Sequence, residues 1–265
     1  MSAAPPVSAG RPASPTRVAT AMFLRELARR WRSVLFMLFM PTAYFAVSYL
    51  TSDPAATVPL TIAGSPAAAP VMVLDRDLKS LYLAVLGISV TGAFAALATV
   101  RGSSAAMRRL RLIGFRARHL LTARLLVLLA ITGAATVIFM LIFVPLIGPA
   151  AMGYAGLALL EVGLLGVAIG TALGMLFTRE FEPAMIIVAI SGVQLAIGRS
   201  DSGGAEKYLP YTPAVDALKT ATFAPPVDGG ALLVGLGYTV GAFALAYLLW
   251  TVRTRVWPPS PVRTE

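Results

Sequence analysis

The strongest constraint on this chain is the way its charges are spaced: long apolar runs with scarcely a charge alternate with short basic blocks. Runs at 33–50, 80–100, 125–147, 153–177 and 230–252 each approach the roughly 20 residues that a helix needs to cross a hydrocarbon core. A sixth run, 184–198, makes only about 22 Å of helix against a core of about 30 Å. Apolar all round, such helices have no polar face to offer water. Hydrophobic residues make up 57% of the chain and charged residues 13%, about half the usual charged share, so a polar shell cannot be built. The expected fold is an all-α integral membrane protein with six transmembrane helices.

The charge blocks set the orientation. Basic residues are retained on the cytoplasmic side of a membrane, and with both termini inside, 17 of the 22 basic residues fall in inner segments. Seven of these lie between Arg101 and Arg124. Only Arg76, Lys79, Arg199, Lys207 and Lys219 fall outside. The opposite orientation would translocate the seven-Arg block. The positive balance is therefore read as topogenic, with no nucleic-acid partner: a nucleic-acid binder gathers its basic residues on one face of a soluble domain.

Residues 1–16, small and Pro-rich, read as a disordered cytoplasmic tail, and 253–265 as a second one. Between 17 and 32, Val18, Ala21, Leu24, Ala28 and Trp31 recur at helical spacing, while Arg25, Glu26, Arg29, Arg30 and Arg32 take the other positions. That pattern predicts an amphipathic helix lying against membrane lipid, with Trp31 at the interface. Pro41 is expected to kink the first span. Residues 51–79 read as a Pro- and Ala-rich loop.

Several chemistries are excluded. With no Cys and one His (His119), the chain offers no disulfide, thiol nucleophile, Cys-ligated metal or H-E-x-x-H helix. None of the three lysines follows a Gly, so no phosphate-binding loop exists. No catalytic residue, cofactor or metal site is expected. Glu161 is the one acid inside a span, about 12 Å along its helix. It is either a pathway carboxylate or a packing residue. Gly166, Gly170 and Gly174, at four-residue spacing, mark a close helix–helix approach, either within the subunit or in a dimer seam.

One segment carries a family resemblance. Residues 105–126, AAMRRLRLIGFRARHLLTARLL, resemble the cytoplasmic loop of the type-two permease family of ABC transporters, the bacterial drug and polysaccharide exporters. Leu110, Phe115, Arg118, Leu120, Leu121 and Arg124 fall on that family's pattern, while Arg108 stands where a Glu is usual and Ile113–Gly114 replaces Thr-Pro. The basic helix before a Pro-containing span, Ser191–Gly192 and LPYTPAVDALKT (209–220) extend the likeness.

The resemblance implies a permease domain over 17–252 in a bacterial inner membrane, with a short re-entrant outer segment before the last span. It also implies a homodimer or heterodimer of permease subunits, driven by a separate ABC ATPase that hydrolyses the ATP. Met107, Arg108, Arg109, Leu110, Arg111 and Phe115 would couple to that ATPase, and Arg25, Arg29, Arg30 and Trp31 would form the interfacial helix. The expected cargo is an amphipathic drug or lipid. An ion-coupled secondary transporter is the alternative, followed by an intramembrane enzyme or an assembly subunit.

Overall fold

Away from water, a backbone must satisfy its own N–H and C=O groups, and an apolar run does so by coiling into a helix. The computed structural model describes residues 14–29, 31–60, 70–102, 110, 115–177, 179, 181–197, 209–224 and 229–253. Residues 1–13 and 254–265, most of the two expected tails, lie outside that set. The described helices are α1 (Pro15–Arg29), α2 (Trp31–Thr51), α3 (Asp75–Gly102), α4 (Ala117–Ile147), α5 (Met152–Leu176), α6 (Phe181–Ile197), α7 (Thr212–Phe223) and α8 (Gly229–Arg253). Five of them, α2, α3, α4, α5 and α8, are long and apolar enough to cross a membrane. The 17 residues of α6 span about 25 Å and fall short.

The loop expected at 51–79 contains a hairpin instead. Strands β1 (Thr57–Leu60) and β2 (Val71–Leu74) pair antiparallel, with Thr57 opposite Leu74 and Leu60 opposite Val71. Val and Thr suit a pleated surface, and Pro59 is tolerated because a two-stranded ribbon has open edges. α3 starts directly after β2, at Asp75, several residues earlier than its apolar run suggests. Asp75 and Asp77 fill its first turn, where the helix dipole favours them.

The centre of the bundle is the α3–α5 seam. A Cβ on Gly166 would collide with the Ser89 carbonyl oxygen, and one on Gly170 with that of Ala93. The two backbones therefore touch, and the glycine stripe is used inside the subunit. Around this seam α2, α4 and α7 bury Phe45, Phe139, Phe143 and Leu218, with Phe45 edge-on to Phe139 at 5.4 Å and to Phe143 at 6.0 Å.

Charges gather at two opposite ends. At one end, Arg101 of α3 donates to the Phe177 carbonyl at 3.2 Å and to that of Arg179. Arg253 of α8 donates to the carbonyl of Met175. Arginines from two neighbouring helices thus satisfy carbonyls that the end of α5 leaves unpaired. At the other end lie the ion pairs Asp75–Lys79 and Asp216–Lys219, and the Ala151 amide donates to the Ala221 carbonyl at 2.9 Å.

α1 packs on α4 at the arginine end. Ala19 and Phe23 are buried there, and Thr16 Oγ1 meets His119 Nδ1 at 3.1 Å. Val18, Leu24 and Trp31 of the expected stripe are exposed. The helix thus has two apolar faces, one against the bundle and one turned outward. Trp31 belongs to α2, whose first residue it is.

Candidate functional site

α6 starts at the arginine end and its 17 residues bring Gln194 level with the middle of α3. At about 1.5 Å per residue, Gln194 lies about 20 Å along α6 from Phe181, and Ser89 about 18 Å along α3 from Arg101. α7 begins at this same level: Gln194 Nε2 donates to Thr212 Oγ1 at 3.2 Å, and the Tyr211 hydroxyl is hydrogen-bonded to Ser89. From there α7 runs to the aspartate end, where its Ala221 carbonyl meets the start of α5. Two short helices thus meet, side chain to side chain, in the middle of the bundle.

Their junction holds a nook of about 10 Å³ lined by Ser89, Ser191, Gln194 and Tyr211 together with apolar neighbours. That is room for a single water-sized group. Beside it a much larger groove, about 480 Å³, opens between α2, α3 and α6. Phe36, Met37, Met40, Tyr44, Phe94 and Val188 give it apolar and aromatic walls. Leu86 and Ser191 line both spaces. Every described residue lining the groove is uncharged. Apolar walls with a few convergent polar groups are the usual make-up of a small-molecule site.

Toward the aspartate end the nook is covered by Tyr82, over whose ring the Lys219 ammonium sits at 5.3 Å. Burial works to lower the Lys219 pKa, but Tyr82 and Asp216, the latter at 3.2 Å, outweigh it and hold it above the usual lysine value. Lys219 is a paired, charged post.

A second polar centre lies at the arginine end. Arg124 of α4 is buried, 1% exposed. Its guanidinium lies 5.4 Å from the Phe23 ring and 5.0 Å from the Trp250 ring, donates to the Thr99 carbonyl at 2.9 Å and attracts Glu26. One side chain thereby ties α1, α3, α4 and α8 together. It borders a cavity of about 140 Å³ between α1, α2, α3 and α4.

The expected coupling segment reaches this centre. Leu110 and Phe115 are half-buried against Phe23, Leu120 and Trp250, and the Phe115 amide donates to the Leu110 carbonyl at 3.0 Å. Leu110 therefore packs on its own subunit. Met107, Arg108, Arg109 and Arg111 lie outside the described residues, as does Arg30. Arg25 and Arg29 are exposed on α1, and Trp31 carries the Arg32 guanidinium over its ring at 5.6 Å.

Glu161 is buried in α5, its carboxylate pressed on Gly235 of α8, where a Cβ would collide with it. It lines none of the three spaces described above. Residue type alone did not reveal Ser89, Gln194, Tyr211 or Arg124 as site residues; a Gln inside an apolar run was the one available signal. No family model matches this chain, and no curated protein does.

Proposed function

We propose that the chain is the membrane permease of an ATP-driven exporter of the type-two ABC class, carrying an uncharged amphipathic molecule out of a bacterial cell. The groove carries this reading. It offers a drug-sized apolar space at mid-depth beside the short helix α6, an arrangement suited to holding cargo between the two sides. On this reading the arginine end is cytoplasmic, α6 is the short fifth crossing and α7 the re-entrant outer segment, giving six crossings. A homodimer or heterodimer of such subunits forms the working unit.

The energy comes from a separate ATPase, because the sequence has no phosphate-binding loop. The segment around Leu110 and Phe115 is its docking point, since it is packed on the Arg124 centre that joins four helices. Arg116→Glu reverses a charge on the exposed surface beside Phe115 and leaves the packing of Leu110 and Phe115 untouched, so its effect is electrostatic and falls on the docked partner. The variant is expected to insert and to keep the wild-type oligomer profile in detergent, yet to lose co-purification with its ATPase and to lose export. Full ATPase binding and export at normal expression refute the assignment.

A further inference from the structure

We infer that Gln194 selects the cargo, admitting amphipathic molecules whose uncharged head ends in a hydroxyl and binding that hydroxyl in the nook. This rests on the groove being the path of the transported molecule.

The observation behind it is an unsatisfied acceptor. Gln194 is 8% exposed, its Nε2 is committed to Thr212, and its Oε1 has no hydrogen-bond partner among the described residues. A buried carbonyl oxygen left unpaired is costly, and the nook beside it has room for one heavy atom. An O–H group is the smallest head that donates to this oxygen while also accepting from a neighbouring hydroxyl.

The surroundings set the rest of the chemistry. The described lining of nook and groove carries no charged side chain, and Lys219, over the ring of the nook residue Tyr82, is paired with Asp216 at 3.2 Å. A carboxylate or ammonium head would enter without a counter-charge, at a large desolvation cost. The groove walls, Phe36, Met40 and Phe94 among them, suit an apolar body, and Met adapts to irregular shapes. Ser191, lining both spaces, is placed to hand the hydroxyl from groove to nook.

The test uses the full chain in nanodiscs, without ATP or a partner. Three probes are compared: a pyrene-tagged long-chain alcohol, its O-methyl ether, and the matching carboxylate at pH 8. Binding is read by energy transfer from tryptophan, with protein-free nanodiscs subtracted. The alcohol is expected to bind about tenfold more tightly than the ether, the worth of one satisfied buried acceptor, and the carboxylate more weakly than either. In Gln194→Leu the ether should bind as before while the alcohol falls to the ether's level; retained ether binding also reports that the variant is folded. Gln194→Asn, which keeps the amide but shortens its reach, should lose the preference too. Saturable binding with equal alcohol and ether affinity, as when the nook serves only a water, overturns the role of Gln194 and leaves the groove standing. An alcohol preference that survives in Gln194→Leu also overturns it. If no probe saturates, the groove as cargo path falls as well.

Discussion

Replacing Arg124 with Met asks how firmly α1 is held to the bundle. The wild-type guanidinium makes a charged hydrogen bond to Thr99, worth about 1.5–3 kcal/mol, and covers two aromatic faces at about 1 kcal/mol each. Against this stands the cost of burying the guanidinium, which the variant no longer bears. Met recovers the packing but removes the hydrogen bond, both ring contacts and the charge that attracts Glu26. The net expectation is about 3 kcal/mol, concentrated where α1 meets α4 and α8. At about 1.4 kcal/mol per decade this raises transient opening of α1 roughly 150-fold. Trypsin reads that opening, because a helical Arg is cut only when its helix unfolds, and cleavage tracks the open population when reclosing is fast. Cuts after Arg25 and Arg29, identified by fragment mass, should quicken by about two orders of magnitude. A rate within threefold of wild type for Arg124→Met refutes the clamp.

The orientation is open to direct labelling: in intact cells an impermeant thiol reagent should modify Asp53→Cys and not Arg118→Cys, both exposed positions at opposite ends, and the reverse result inverts the topology. Glu161→Gln keeps shape and lines none of the described spaces, so folded yield and alcohol binding in nanodiscs should stay within twofold; a larger change in binding returns the carboxylate to the path. Gly235→Leu should cost about 1–3 kcal/mol by overpacking against that carboxylate, seen as a lower unfolding temperature that Glu161→Ala partly restores. No restoration refutes the contact.

The helices were legible because burial in lipid writes itself into long uninterrupted runs. α2, α5 and α8 begin and end close to the apolar segments expected for them, while α4 begins eight residues before its run. Local signals failed where distant segments decide. Arg101, Arg124 and Arg253 read as interchangeable topogenic charges, yet one is walled in by Phe23 and Trp250 and two serve carbonyls at the end of α5. Nothing near Arg124 in sequence announces its two rings. The nook was hidden for a related reason: Ser89, Gln194 and Tyr211 are uncharged and come from three separate segments, so only packing brings them together. The hairpin was masked by Pro59, which argues against a strand until the open edge of a two-stranded ribbon is seen. The expected stripe of Val18, Leu24 and Trp31 is divided between α1 and α2 and is exposed, while Ala19 and Phe23, which dock α1, gave too small an apolar signal.

The glycine seam between α3 and α5 bears on how such a groove could change shape. Carbonyl oxygens resting on Cα atoms leave no side chain to repack, so sliding one helix past the other would drive Val167 or Leu165 into a backbone. The pair behaves as a fixed mast. α2 is lashed to it where Pro41 lies against Gly87 and where Thr91 donates to the Met37 carbonyl at 3.3 Å. α6 has a slighter mooring, with Ile187 among a small apolar cluster and Gln194 tied to Thr212. Of the walls of the groove, α6 is thus held less firmly than α2, and the Gln194–Thr212 hydrogen bond is its polar tie to α7.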